Sequence, residues 1–207
     1  MRFLKYVFKQ PFLIAVCLFY LASCGNGKTD QSVAVQQVSP APKKPVAPFP
    51  FYKNIEVRPG LNFEVLSWGR GADTVGGYLV LRSDSLKNSY RSLSAEREGI
   101  ITDAWNMDLD NDGDPEIYIE LLSRKNVRDL NVYEFSGNDF NKITFPGLGS
   151  ELKKNYGGND KYIIKNGDLF RSFPLVNPKD STEKPGTLKV VQYKLSGNSF
   201  SVSEVRE

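Results

Sequence analysis

The amino-acid sequence predicts an all-β domain, an antiparallel β-sandwich or open barrel of about eight to ten short strands with at most one short helix. Three observations carry this prediction. From residue 51 onward, apolar residues recur with a period of two in short runs rich in β-branched and aromatic side chains. Between the runs stand Gly, Asn and Asp, which accept turn conformations at low cost. Helix signals are confined to one short stretch.

The first clear run is 61–68, in which Leu61, Phe63 and Val65 share one face. Runs at 77–82, 100–107, 116–122 and 130–135 follow, and 138–145 closes a hairpin on the last of them. Residues 133–140 (YEFSGNDF) and 193–200 (YKLSGNSF) repeat an aromatic strand, a Ser-Gly-Asn turn and a return strand. Gly and Asn tolerate positive φ there, so the likeness has a local cause and requires no duplicated domain. A further hairpin is expected over 161–165, the turn Asn166-Gly167, and 169–173. The helix is expected over 150–156, with Ser150 as N-cap and Gly157-Gly158 as the stop. Prolines and charges make 176–186 an expected exposed loop.

Ahead of the domain, Arg2, Lys5 and Lys9 precede an apolar run over 12–22 that is too short to span a bilayer as a stable helix. Residues 1–23 therefore read as a signal peptide. The run ends in Leu21-Ala22-Ser23-Cys24, which resembles the lipobox of bacterial lipoproteins, in which the cysteine is acylated and becomes the new N-terminus. This makes Cys24 a lipid anchor and places the protein in the bacterial cell envelope, on the outer membrane facing the periplasm. Durable attachment then rests on the several chains of such anchors, because one acyl chain binds a bilayer only marginally. The segment 24–50 is expected to be the lipidated cysteine followed by a Pro-rich flexible tether. About 25 such residues reach roughly 80 Å fully extended and about 25 to 30 Å as a coil. Residues 51–207 form the single β-domain.

Composition narrows the chemistry. The formal charge of +3 comes from 27 basic and 24 acidic residues, and removal of the signal leaves 24 of each. The counterion-release argument for nucleic acid is thereby lost. Histidine is absent, which excludes histidine triads and imidazole-based zinc sites. Cys17 leaves with the signal and Cys24 carries lipid, so no thiol remains for a disulfide or a nucleophile. These exclusions point away from an enzyme and toward a binding domain whose partner is a protein or a glycan.

The most specific internal motif is Asp108-Leu109-Asp110-Asn111-Asp112-Gly113-Asp114-Pro115-Glu116, with five carboxylates in nine residues. Unless compensated, these charges repel, and a hard cation is the usual compensation. Asp108, Asp110 and Asp112 converge if the loop turns at Gly113, Asp114 can add a backbone carbonyl, and Glu116 can close the shell, an oxygen-rich arrangement that calcium favours. The loop is not an EF-hand, because Ile119 stands where the bidentate Glu would be. It is similar to the calcium turns of integrin-type propeller blades, in a single copy. The alternative is a surface turn capped by Asx hydrogen bonds, with no ion.

Residues 63–135 resemble the periplasmic inhibitors of invertebrate-type lysozymes. The resemblance lies in Thr74-Val75-Gly76-Gly77-Tyr78-Leu79-Val80-Leu81, a strand entered through a small-residue turn and a tyrosine, and in the acidic turn that ends in Pro115-Glu116-Ile117. It implies an exported β-sandwich that blocks a lysozyme by inserting a loop into its cleft. The loop would follow the strand after the acidic turn, where Ser123-Arg124-Lys125-Asn126-Val127-Arg128-Asp129 stands. Of the family's Ser-Gly-x-Tyr type motif only Ser123 can be carried over, while Arg124, Lys125 and Arg128 offer charge to an acidic cleft or form a solvated loop tip. Tyr78 is the family's strand tyrosine. Trp68, beside Gly69-Arg70-Gly71, could stack on a sugar or anchor a partner, although core burial is the favoured expectation for both Trp68 and Trp105.

Overall fold

The computed structural model describes residues 47–69, 74–124, 126–176 and 186–205, with Arg124 described for its backbone alone. The signal, the lipidation site Cys24, most of the tether, Lys125, and nearly all of the loop expected over 176–186 lie outside the described residues. Among the described residues there are twelve strands and one helix. β1 (Phe51–Arg58), β2 (Leu61–Trp68), β3 (Val75–Asp84) and β4 (Ser89–Glu98) form the first antiparallel sheet. The second is built from β5 (Ile100–Met107), β6 (Glu116–Arg124), β7 (Val127–Ser136) and β8 (Asp139–Ile143). After α1 (Ser150–Lys154) come β9 (Lys161–Lys165), β10 (Asp168–Pro174), β11 (Leu188–Ser196) and β12 (Ser199–Glu204), the third sheet. In each, neighbours in sequence are neighbours in space, so all pairing is hairpin-like and no barrel closes.

The all-β expectation holds, with twelve strands in three sheets rather than the eight to ten of a sandwich or open barrel. The second sheet explains why. Its strand β6 is buried on both faces, with Ile117, Ile119 and Leu121 in one core and Tyr118 in the other. The first core joins it to Phe63, Val65, Tyr78 and Val80 of the first sheet. A second core joins it to Leu169, Phe173, Val191 and Tyr193 of the third. A strand covered on both sides reads as a continuous apolar run, because neither face needs to be polar. The repeated hairpins at 133–140 and 193–200 are β7–β8 and β11–β12, in each case the last two strands of their sheet.

The helix is shorter than expected and starts differently. Gly149 occupies the N-cap with no side-chain hydrogen bond, and Ser150 is the first helical residue. It stops at Lys154, before the two glycines, because the chain turns at Asn155 to let Tyr156 bridge to Leu175.

A buried ion pair ties the third sheet to β7. Arg171 Nε donates to Asp160 Oδ1 at 2.7 Å, with side-chain exposures of 3% and 0%. Asp160 Oδ2 also accepts the Arg128 N–H at 2.9 Å and the Tyr156 hydroxyl. Both oxygens of this carboxylate are therefore hydrogen-bonded, which is what makes a charge tolerable at such depth.

Candidate metal centre

The acidic turn connects β5 to β6, and Met107 pairs with Glu116 at its base. Positive φ at Asn111 (60°) and Gly113 (92°) folds it back on itself. Asp108 then sits at the centre of the loop. Its Oδ1 accepts the Asp112 N–H at 3.0 Å and its Oδ2 the Gly113 N–H at 3.1 Å. Asp112 Oδ1 accepts the Asp114 N–H at 2.8 Å, so the Asx hydrogen bonding expected of such a turn is present.

That bonding does not account for the whole loop. One carboxylate oxygen from each of Asp108, Asp110, Asp112 and Glu116 lies within 4.8 Å of all the others. These four can coordinate a divalent cation. Asp114, the fifth expected residue, stands outside this carboxylate group and contributes its N–H to the turn.

Glu116 gives the cluster its chemical character. It is fully buried at 0% exposure, and its Oε2 accepts the Leu109 N–H at 2.8 Å and the Tyr118 hydroxyl at 3.3 Å. Oε1 is buried with no hydrogen-bond partner, and so is Asp110 Oδ1, from another carboxylate of the group. Burial pushes the Glu116 carboxyl up to about 7; the Leu109 N–H works against the shift, and the charges of Asp110 and Asp108 add to it. Two orphaned acceptor oxygens facing one like-charged cluster are an unfilled demand for positive charge.

The residues expected to touch a partner are dispersed. Tyr78, expected at the partner surface, is buried at 0% exposure in the first core, with its hydroxyl 2.6 Å from that of Tyr133 and accepting from Asn131 Nδ2. Trp68 also departs from expectation. It is 41% exposed, with its indole lying over Gly77, whose missing Cβ leaves room for the ring. Trp105 is half-buried and stacks on Tyr118 with 5.7 Å between ring centres, at the edge of the second core.

Around the expected inhibitory loop, Ser123 hydrogen-bonds Asp129 at 3.1 Å, and Arg128 pairs with Glu120 and donates to Thr102 at 3.2 Å. The side chains of Arg124 and Lys125 lie outside the described residues. Arg124 pairs with Val127, and the Asn159 N–H donates to the Asn126 carbonyl. Trp68 and Ser123 line the same open recess of about 1020 Å³, together with Glu96, Asp129 and Asn131.

The sequence showed the four ligand positions because they are local to one loop. It did not show the burial of Glu116, which depends on Tyr118 and Leu109 entering the second core. No helix among the described residues is long and apolar enough to cross a membrane. The chain matches no family model, no curated protein and no solved structure.

Proposed function

We propose that this chain is a lipid-anchored, non-catalytic protein of the bacterial envelope, whose β-domain is clamped by calcium at the β5–β6 turn and binds a partner. The observation that carries the calcium clamp is the pair of buried acceptor oxygens, Glu116 Oε1 and Asp110 Oδ1, that have no partner inside a group of four carboxylates. Calcium binds oxygen at about 2.3 to 2.6 Å, so opposite ligands stand roughly 4.6 to 5.2 Å apart, and magnesium draws them to about 4.0 to 4.2 Å. Donor atoms within 4.8 Å of one another are compatible with the calcium shell. A bound cation also reverses the repulsion among the carboxylates and pins both ends of the turn to the base of β6.

The anchor rests on the lipobox-like Leu21-Ala22-Ser23-Cys24. The binding role rests on the absence of histidine and of a mature thiol, and on carboxylates gathered in one like-charged site instead of the divergent environments that acid–base catalysis uses. Inhibition of a lysozyme, the role implied by the resemblance, needs a projecting loop after β6. Pairing of Arg124 with Val127, and an Asn126 carbonyl tied to Asn159, support that role less well than they support a partner-binding domain without an inhibitory loop. Calorimetric titration of the full chain with calcium chloride tests the clamp: one site is expected, lost in Asp108→Ala and in Asp110→Asn, with weaker binding of magnesium. A silent titration of the wild-type chain refutes it.

A further inference from the structure

Strand register divides the first sheet into two faces. One carries Phe63, Val65, Tyr78 and Val80 into the first core. On the other, Tyr52, Leu66, Leu79 and Ser94 lie in register across all four strands, and Trp68, Gly77 and Glu96 form the adjacent row. Leu81 and Tyr90 continue the same face. The three leucines are half-buried yet belong to neither core. Around them Tyr52, Trp68 and Tyr90 are 54%, 41% and 74% exposed. An aliphatic centre with aromatic side chains standing over it is the composition of a protein-binding patch.

Charge is sorted between the two faces. The core-facing rows contain Lys53, Arg82, Arg91 and Arg97, with one carboxylate, Asp84, paired to Arg82. The outer rows contain Glu56, Glu64, Glu96 and Glu98, against one exposed arginine, Arg58, which follows the β1 bulge beside the core-packed Val57. None of these four glutamates forms an ion pair among the described residues. In a mature chain with balanced charge, a sheet face with four glutamates against a single arginine is a local departure that favours a basic occupant.

We propose that the outer face of the β1–β4 sheet docks a basic protein, with Trp68, Tyr52 and Tyr90 as apolar anchors and Glu56, Glu64, Glu96 and Glu98 meeting its cations. The proposal deepens the partner-binding reading above and rests on it. A neutral glycan could stack on the aromatic rings, but it would have no use for the excess of carboxylates on this face.

The test measures binding of the full chain, in detergent micelles, to cytochrome c as a basic probe and to succinylated cytochrome c, the same protein with its lysines turned into carboxylates. Cytochrome c is expected to bind, less tightly at about 300 mM salt than at about 20 mM, and the succinylated form is not. Glu96→Lys combined with Glu98→Lys should weaken binding about tenfold or more, Trp68→Ala should weaken it too, and Glu151→Lys on α1 should leave it unchanged. Equal binding of the two probes, or indifference to the Glu96 and Glu98 reversals, overturns the proposal. So does a chain that keeps its calcium response but binds neither probe, whereas probe binding in a chain without a calcium response refutes the clamp alone.

Discussion

Glu116→Gln separates the cost of burying a carboxylate from the benefit of holding a cation with it. Glutamine has nearly the same shape and keeps an oxygen for the Leu109 N–H, which Glu116 now accepts at 2.8 Å. Without calcium the variant therefore removes a fully buried charge and repulsion from Asp108 and Asp110, and it should melt at the wild-type temperature or higher. With calcium at about a hundred times its dissociation constant, the wild-type chain gains roughly 2.7 kcal/mol. At about 2 to 4 °C per kcal/mol for a domain of this size, that is a rise of roughly 5 to 11 °C in Tm. Glu116→Gln should lose most of it. Scanning calorimetry of both chains, in calcium and in chelator, gives the four Tm values. Coincident wild-type curves in the two buffers, or a full calcium gain in the variant, would refute the reasoning.

Three further outcomes follow from the geometry. Asp84 is held below the usual carboxylate range: its burial pushes the other way, but the Lys87 N–H and Arg82 outweigh it, with Leu86 donating a further N–H. The stability it contributes is present above the ordinary aspartate pKa and lost as pH falls through the lowered value, so Asp84→Asn should flatten the acid limb of a stability–pH profile. Arg171→Met leaves Asp160 charged and unpaired where it is 2% exposed, and should cost about 3 to 5 kcal/mol in chemical denaturation, with Asp160→Asn added to it recovering part of the loss. A Cβ at Gly77 would stand 2.3 Å from Trp68 Cζ2, so Gly77→Val must lift the indole from the sheet; tryptophan emission should shift to the red and stability fall by about 1 to 3 kcal/mol.

The strands that the sequence left unmarked show what period-two reading misses. β4 offers only Leu93 and Ala95 to the first core, and its other core-facing positions are Ser89, Arg91 and Arg97. It is a strand because β3 pairs with it at ten successive residues, which a hydrophobic pattern does not encode. Trp68 is set by what lies across the sheet, since Gly77 on the neighbouring strand leaves a shelf for the ring. Arg128 looked like a loop cation and is instead paired with Glu120 on β6 and bonded to Thr102 on β5. Each of these depends on a partner many residues away in sequence.

By itself the sequence determined the all-β class, the Ser-Gly-Asn hairpins and the acidic turn with its convergent carboxylates, because strand alternation, positive-φ turns and short-loop geometry are local properties. Only the tertiary structure decided that the second sheet lies between two cores, that Glu116 ends with a buried oxygen lacking a partner, and that four glutamates fall on the outer face of the first sheet. The physical reason is that alternation assigns a residue to one of two faces, whereas what covers a face is fixed by the sheet packed against it.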